Sequence, residues 1–524
     1  MTPPVRAVRG HLVAADGTPL TLRGVGLGNW LLPEGYMWGF GDAAASPRQI
    51  EALVEQLVGP DAAGEFWRGF RDTFVAESDI AMIAADGFDH VRLPVNWRVL
   101  MTEDGDLRPE GLALVDRLVS WCGRHGLLVL LDLHGAPGGQ TGTNIDDSRG
   151  RPELFMDPRN EELTVALWTA LAGRYRDDPT VLGYDLLNEP LPNHWQHVYP
   201  DALVRLYRRL TEAIRAVDPD HLLMYEGTHW ATNWDIFTEV WDPNSALQFH
   251  KYWSPPDDAS IRPYLEARER LGLPIYMGEG GENSPQWLAA AHSLYERHEI
   301  GWNLWPWKKI ETLTSPLSVT APAEWSRIVA YAAGTGPRPS AATAARCLDE
   351  LLHNLDSGRC TRREDVVNAV FRRAPLDVAA YGLTEVAGTS TIEVRGRAAD
   401  AGTGQPDDAS ESPTAPVVDH SYPPCPAAPD VVRRMQPGAA VATEVLVTAG
   451  SWDLEVHGSG PLPTLDLDGA GIALTRTTDG AEGDQCWAGR TTRAQAGTST
   501  LRLDSHAGFT LSQVVIRRSA DDAP

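Results

Sequence analysis

Two glutamates of this 524-residue chain stand where paired acid–base chemistry is possible. Glu189 follows an apolar run and precedes Pro190, and Glu279 lies near the end of the run Pro274–Gly281. Two carboxylates that face one pocket can cleave a glycosidic bond, because one protonates the leaving oxygen while the other attacks or activates water. A separation of about 5–5.5 Å would indicate retention of configuration, and about 6.5–9.5 Å inversion. The alternative is that each glutamate is a solvated loop residue.

The residue that precedes a proline is biased away from helical geometry. We therefore expect Glu189 to be extended at the mouth of its strand. Arg92 lies in the run HVRLPVNW (90–97). A cation beside Glu279 would keep that carboxylate charged while a different environment raised the pKa of the other glutamate. The alternative role for Arg92 is a buried ion pair that holds the fold together.

Other polar and aromatic side chains occupy the ends of further apolar runs. They are Asn29, Trp30, Trp97, His134, Asn188, His250, Tyr252, Trp253 and Trp305. Seven run ends carry groups that a packing layer alone would not require. The chain has 18 Trp and only 10 Phe, an excess that suggests a surface that stacks on a ligand, with sugars as one candidate. About half of the tryptophans are expected in the core, and Trp195, Trp230 and Trp253 are the better candidates for sugar platforms.

Eight short apolar runs alternate with amphipathic stretches between residues 20 and 335. This alternation predicts a (β/α)₈ barrel over residues 1–338, with the run ends forming its carboxyl-terminal rim, where such barrels perform their chemistry. A doubly wound sheet fits less well, because GVGLGNW leads into Trp and Leu and not into a helix N-terminus.

Two further segments follow the predicted barrel. Helix-like stretches at 341–355 and 364–373 predict a helical connection over 339–385. Period-two alternation then predicts an antiparallel β-sandwich over 386–524, interrupted by a loop rich in Pro, Ala and Asp at about 397–429. This second domain would either bind carbohydrate or act as a structural cap.

Composition excludes several classes of partner. With 45 basic and 71 acidic residues, the net charge of −26 argues against nucleic acid and anionic membrane surfaces. The five cysteines lack CxxC spacing and no HExxH motif occurs, so we expect neither a metal site nor a cofactor. No signal peptide is evident, so we expect a cytoplasmic protein, or a secreted one if the N-terminus is trimmed. The sequence predicts no oligomeric state.

The strand-end motifs resemble those of glycoside hydrolase family 5, the cellulase-like clan A barrels. In the family's order they are GVGLGNWLLPEGY, RLPVNW, LDLHGAPGGQTG, LLNEP, FHKYW, GEGG and GWNLWPWK, over about residues 20–335. LNEP alone is moderately specific, whereas seven motifs in register are highly specific. The exo-β-1,3-glucanase branch has very similar versions of DLHGAPG, LNEP and GW..W.WK.

The resemblance implies a role for each motif residue. Glu189 would be the general acid/base and Glu279 the nucleophile, with Arg92 beside it. His134 and Asn188 would lie beside the cleaved sugar, with Asn188 gripping the 2-hydroxyl, where hydrogen bonds strengthen in the transition state.

The same resemblance extends to four residues on other motifs. His250 and Tyr252 would orient the two glutamates, Trp305 would form the stacking floor of the −1 subsite, and Glu34 would bind sugar. Imidazoles that donate to carboxylates are expected here in preference to metal ligands.

The implied activity is a retaining, exo-acting glycosidase of the β-glucosidase/exo-β-glucanase type, acting on small glycosides or oligosaccharides. Gly35-Tyr36, the residues after Glu279 and the two lysines of WPWKKIE depart from the exo-glucanase pattern. Mannose, arabinofuranose and galactofuranose therefore stay open as terminal sugars. A transglycosylase would share every catalytic residue, and a non-catalytic sugar-binding barrel is the remaining alternative.

Overall fold

The computed structural model describes residues 5–372 except 144, 253 and 255. Beyond residue 372 it describes strand segments alone, namely 385–386, 389–392, 433–435, 440–447, 450–459, 464–467, 470–479, 485–493, 497–504 and 509–518. The predicted sugar platform Trp253 and the predicted loop 397–429 lie outside the described residues.

A small three-stranded antiparallel sheet precedes the barrel. Its strands are β1 (Val5–Val8), β2 (His11–Ala14) and β3 (Pro19–Leu20). Val5 and Leu12 of this sheet pack into one buried cluster with residues near the amino-terminal ends of the barrel strands, among them Leu182 and Leu222. The sheet therefore closes the end of the barrel opposite to the predicted rim.

Eight parallel strands form a closed barrel, as the alternating pattern predicted. They are β4 (Arg23–Gly26), β5 (His90–Asn96), β6 (Leu128–Gly135), β7 (Val181–Asp185), β8 (Leu222–Glu226), β9 (Ser245–His250), β10 (Ile275–Gly281) and β11 (Gly301–Trp305). Pairing of β11 with β4 completes the ring. Closure leaves no strand edge unpaired, and every inward side chain is buried.

Helices separate most of these strands. They are α1 (Pro47–Val58), α2 (Pro60–Thr73), α3 (Glu77–Ala85), α4 (Trp97–Leu100), α5 (Pro109–His125), α6 (Pro158–Tyr175), α7 (Pro200–Arg215), α8 (Asp258–Leu271), α9 (Pro285–Arg297), α10 (Trp325–Ala332), α11 (Ala341–Asn354) and α12 (Glu364–Phe371). Short 3₁₀ helices occupy Gly35–Trp38, Gly41–Ala44, Glu153–Phe155 and Asn193–His197. None of the described helices is both long and apolar enough to cross a membrane.

Helix α5 shows how the sequence sets these boundaries. Pro109 occupies its first turn, where a missing backbone N–H costs nothing. Its buried face carries Leu112, Val115, Leu118, Val119 and Cys122 at helical spacing. Gly126 ends the helix with a φ of 74°, a left-handed conformation that glycine adopts without strain.

The expected alternation of strand and helix fails at one place. Residues 227–244, between β8 and β9, contain no helix. In this segment Phe237 packs edge to face against Trp234 and at a tilt against Trp241. Trp241 also packs edge to face against Tyr225 of β8. Aromatic packing thus covers this part of the barrel where a helix was predicted.

A short sheet follows the barrel, formed by β12 (Lys308–Ile310), β13 (Leu317–Val319) and β14 (Thr361–Arg362). Helices α11 and α12 lie within the predicted helical connection 339–385. One compact unit comprises Met1–Glu282 and Ser293–Val367. The predicted boundaries at residues 338 and 385 stay predictions.

The carboxyl-terminal strands form two sheets. Their strands are β15 (Glu385–Val386), β16 (Thr389–Ile392), β17 (Arg433–Met435), β18 (Ala440–Val447), β19 (Gly450–Ser459), β20 (Thr464–Leu467), β21 (Ala470–Ile472), β22 (Thr475–Asp479), β23 (Gln485–Arg493), β24 (Gly497–Asp504) and β25 (Phe509–Arg518). One sheet has the order β15-β18-β24-β20-β21; the other has the order β16-β25-β19-β23-β22, with β17 also on β25. All pairs are antiparallel except β15 with β18. Packing of the two sheets into a sandwich stays a prediction.

The closed end of the barrel gives a test of the fold. Leu12 is 4% exposed, so Leu12→Ala is expected to lower the free energy of unfolding by about 2–5 kcal/mol through lost burial and the cavity left behind. Val8, in the same small sheet, is 44% exposed, so Val8→Ala should change stability by less than about 0.5 kcal/mol. Urea denaturation followed by tryptophan fluorescence measures both, and equal midpoints for the two variants would contradict this role of the sheet.

Candidate active site

A single arginine occupies the centre of the barrel mouth. Arg92 is the third residue of β5, and its guanidinium is fully buried. It donates hydrogen bonds to Asp185 (Nε to Oδ2, 2.8 Å), Asn188 (Nη2 to Oδ1, 2.8 Å), Glu226 (Nη2 to Oε1, 3.2 Å) and Glu279 (Nη1 to Oε1). It also forms an ion pair with Asp132 (Nη2 to Oδ2, 3.1 Å). Burial works against its charge, but the surrounding carboxylates raise the pKa of Arg92 well above its usual value. The arginine is therefore a permanent cation.

The local backbone of β10 aims Glu279 at this cation. The pairing of β9 with β10 shifts register between Met277 and Glu279, which places Glu279 opposite His250. Gly278 lies at the shift, and a Cβ there would stand 2.1 Å from the side chain of Gln248. Glycine is thus required for the close approach that brings Glu279 into the mouth.

Glu279 accepts hydrogen bonds on both carboxylate oxygens. Arg92 donates to Oε1, and the Tyr252 hydroxyl donates to Oε2 at 2.8 Å. Burial raises the pKa of Glu279, and the charges of His250 and Arg92 oppose that rise without cancelling it. The expected effect of Arg92 on this carboxylate is thus present, but the net direction is upward because burial is the larger cause.

Glu189 does not have the extended backbone that its position before Pro190 suggested. Its φ is 46°, in the left-handed region that costs a non-glycine residue roughly 1–3 kcal/mol. Strand β7 ends at Asp185, so the chain has already turned where Glu189 lies. The backbone N–H of Glu189 donates to Glu226 Oε2 at 2.6 Å, which holds the turn.

The two glutamates lie close together around His250. One oxygen of each carboxylate and one ring nitrogen of His250 all lie within 4.8 Å of one another. This spacing fits a retaining pair, because an inverting pair needs about 6.5 Å or more to admit a water molecule.

His250 links three carboxylates. Its Nδ1 lies 2.6 Å from Glu189 Oε1 and 3.7 Å from Glu279 Oε2, and its Nε2 lies 3.2 Å from Glu226 Oε1. Burial alone would lower its pKa, but the charges of Glu226 and Glu279, with hydrogen bonds to Glu189 and Glu226, raise it well above the usual range.

A protonated imidazole donates from both nitrogens and has no lone pair for a metal ion. Within the part of the chain that the structure describes, Glu189, His250 and Glu279 form a cluster that could otherwise hold one, and a single cationic ring among them serves the same electrostatic purpose. This argument favours the expected imidazole–carboxylate contacts over metal coordination.

His134 and Asn188 form the neighbouring side of the mouth. Burial lowers the pKa of His134 to about 4, so its ring is neutral at pH 7. Nδ1–H donates to Asp132 Oδ2 at 2.7 Å, which leaves Nε2 to accept from the Asn188 amide at 3.3 Å. Because Arg92 donates to the Asn188 oxygen, both ends of that amide are fixed.

Trp305, at the end of β11, lies parallel to the His134 ring, with centroids 5.5 Å apart and an interplanar angle of 6°. A Cβ at Gly26 or Gly28 would stand 2.5 Å from the Trp305 ring, so the glycines of GVGLG make room for this indole. The indole Nε1–H donates to the Tyr36 hydroxyl at 3.0 Å.

Glu34 is 2% exposed on the loop after β4. Its Oε1 has no hydrogen-bond partner among the described residues. Burial, followed by the charges of Glu279 and Glu282, raises its pKa well above the usual range. A buried carboxylate oxygen of this kind is free to accept a hydrogen bond from a water molecule or a bound ligand.

The structure thus brings together the nine predicted site residues. Trp195 and Trp230, predicted as platforms, are half-buried in the loops that follow β7 and β8. Sequence reasoning missed Asp132, Asp185, Glu226 and Gln248, which surround Arg92 and His250. Their signal was an ionisable or amide side chain within a buried apolar run, since such groups are rarely buried without a partner.

Comparison with known proteins gives one family and several relatives. Residues 58–310 match the cellulase (glycosyl hydrolase family 5) model. A beta-xylosidase of Phanerodontia chrysosporium is 29% identical over 57% of this chain and 69% of that protein. A probable glucan 1,3-beta-glucosidase A of Emericella nidulans is 31% identical, over 49% of this chain and 66% of that protein. Endoglucanase C of Acetivibrio thermocellus is 26% identical, over 46% of this chain and 86% of that protein.

Both Glu189 and Glu279 lie inside the matched residues, at the carboxyl-terminal mouth of the barrel and at the spacing of a retaining pair. The chain belongs to glycosyl hydrolase family 5 and is a glycosidase of that retaining family.

Proposed function

We propose that this chain is an exo-acting β-glycosidase that removes the terminal sugar from small glycosides or oligosaccharides, with Glu189 as acid/base and Glu279 as nucleophile. The observation that carries the proposal is that one oxygen of each carboxylate and one ring nitrogen of His250 all lie within 4.8 Å of one another. Glu279 attacks the anomeric carbon while Glu189 donates its proton to the leaving oxygen, and a glycosyl ester of Glu279 forms. Glu189 then takes a proton from water, whose oxygen displaces Glu279 and restores both carboxyl groups.

The division of roles rests on the hydrogen bonds of each glutamate. Glu279 accepts from Arg92 and Tyr252, two bonds that favour its charged form. The Glu189 carboxylate instead has one hydrogen bond, with His250 Nδ1. The backbone N–H of Glu189 donates to Glu226 and so holds the residue in place. A nucleophile must be ionised, and a carboxylate held by a guanidinium and a phenol is the better candidate.

The surroundings of the pair supply the sugar contacts. Asn188, with both ends of its amide fixed, is placed to bind the 2-hydroxyl beside Glu279. Trp305 offers an aromatic face, and Glu34 offers an unpaired acceptor oxygen. Relatives named beta-xylosidase and glucan 1,3-beta-glucosidase support release of terminal sugars, whereas the relative named endoglucanase favours internal cleavage.

The roles of the two glutamates are separable with azide as an added nucleophile. Glu279→Ala and Glu189→Ala should each lower kcat/KM for natural-type glycosides by at least about 10²–10⁴-fold. With an aryl glycoside that has a good leaving group, azide should then give a glycosyl azide of inverted configuration from Glu279→Ala and of retained configuration from Glu189→Ala. NMR of the products decides, and the opposite stereochemistry would reverse the assignment.

The pH profile tests the electrostatic role of His250. Burial raises the pKa of Glu279, so the acid limb of the kcat/KM profile should lie above the usual glutamate pKa of about 4.3. The His250 cation lowers this pKa, so His250→Gln should leave Glu279 protonated to a higher pH and move the acid limb upward. Initial rates from pH 4 to 8 measure the shift, and an acid limb that stays in place or moves downward would contradict it.

A substrate panel tests the exo action and names the sugar. We expect turnover of one aryl glycoside among the β-glucoside, β-xyloside, β-mannoside, β-galactofuranoside and α-arabinofuranoside. On a soluble β-glucan, monosaccharide should appear before viscosity falls, with Glu279→Ala as the inactive control. A fall in viscosity that precedes any monosaccharide would show internal cleavage. Products elongated by an added sugar acceptor would show transglycosylation.

A further inference from the structure

Glu226 is a buried carboxylate that contacts the backbone of the acid/base residue itself. It is the last residue of β8, and its side chain is fully buried. Its Oε2 accepts a hydrogen bond from the backbone N–H of Glu189 at 2.6 Å. The φ of Glu189 is 46°, a strained conformation that persists only where the surrounding structure holds it. The contact with Glu226 therefore opposes a return to the extended backbone that Pro190 favours.

Glu226 also acts on the carboxyl end of the same residue, through His250. The Nε2 of His250 lies 3.2 Å from Glu226 Oε1, and its Nδ1 lies 2.6 Å from Glu189 Oε1. An imidazole held at one nitrogen presents the other nitrogen in a fixed direction. One side chain thus holds the backbone of Glu189 directly and its carboxylate through His250.

The two oxygens of Glu226 have different partners. Around Oε1, Arg92 Nη2 and His250 Nε2 each lie at 3.2 Å, and the Gln248 amide donates to the same oxygen. Oε2 accepts from the Glu189 backbone. A glutamine here would have a single oxygen, which the several donors around Oε1 would retain, so its NH₂ group would face the Glu189 N–H, donor against donor. Glu226→Gln should therefore break the contact with Glu189 and keep the contacts around Oε1.

We propose that Glu226 is a positioning residue for the acid/base, which holds Glu189 at the leaving oxygen and thereby sets how strongly the rate depends on the leaving group. The proposal rests on the proposed function. A glycoside with a poor leaving group needs the proton of Glu189, whereas a good leaving group departs as an anion with little help. The substrates that require Glu226 are therefore alkyl glycosides and oligosaccharides.

Two glycosides of the same sugar measure this dependence. The probes are the 2,4-dinitrophenyl glycoside, with a good leaving group, and the methyl glycoside, with a poor one, of the panel sugar that is turned over. In Glu226→Gln, kcat/KM should fall about 100-fold or more for the methyl glycoside and about tenfold or less for the dinitrophenyl glycoside. The comparison uses kcat/KM because this constant covers the step that expels the leaving group, whatever limits the second step.

Asp185 provides a matched control in the same cluster. It is fully buried, and its Oδ2 accepts from Arg92 Nε at 2.8 Å and from the Gln248 amide at 2.7 Å. Its Oδ1 has no hydrogen-bond partner among the described residues, so an asparagine NH₂ group there would displace no contact. Asp185→Asn thus removes a carboxyl group beside Arg92 and leaves the Glu189 backbone in place. Because both glycosides need the nucleophile that Arg92 contacts, this variant should lower both kcat/KM values by the same factor.

An equal loss on both glycosides in Glu226→Gln would overturn the inference, because that result is expected of a counter-ion for Arg92 alone. A loss confined to the methyl glycoside in Asp185→Asn would overturn it as well. If Glu226→Gln does not fold, Glu226→Asp keeps the charge and withdraws the carboxylate from the Glu189 N–H by one methylene group. An equal loss on both glycosides in that variant would also overturn the inference. Failure of the wild type to turn over any glycoside of the panel would instead overturn the proposed function.

Discussion

The charge of Arg92 is the interaction on which the rest of the active site depends. A guanidinium buried at the centre of the barrel mouth is stable only if acceptors and negative charge surround it, and four carboxyl groups contact it. Burial raises the pKa of Asp132, to about 8, and that of Asp185, so these two groups favour the neutral form. The cationic His250 and Arg92 lower the pKa of Glu226 despite its burial. Two cations thus face Glu226 and Glu279, and the charges balance.

This balance fixes positions as well as charges. The groups that Arg92 contacts lie on β6, β7, β8 and β10 and on the loop after β7. One side chain of β5 therefore connects the strands and the loop that carry the two glutamates. Asn188 is oriented by the same guanidinium, and Glu226 in turn holds the backbone of Glu189. Both glutamates are therefore held in position by contacts within the protein, which is the preorganisation that a charged transition state requires.

The sugar side of the mouth is built by a different rule. Here the barrel leaves out side chains, because Gly26 of β4 and Gly28 just after it admit the Trp305 ring. Two of the residues that depart from the exo-glucanase pattern lie on this side: Tyr36 accepts the indole N–H of Trp305, and the Lys309 ammonium lies over the Tyr36 ring. The two sides of the mouth meet at His134, which stacks on Trp305 and is hydrogen-bonded to Asp132 and Asn188 beside Arg92.

The sequence by itself determined the barrel and the residues of its mouth. Eight apolar runs with polar ends allow few other folds, and parallel strands bring all their ends to one rim. It did not determine the left-handed backbone of Glu189, because the local preference imposed by Pro190 is overridden by a hydrogen bond to Glu226, 37 residues away. The loop at 227–244 likewise depends on aromatic contacts across the fold. The network around Arg92 was decided by tertiary structure alone, since which buried carboxyl group contacts which cation depends on distances that spacing along a chain does not encode.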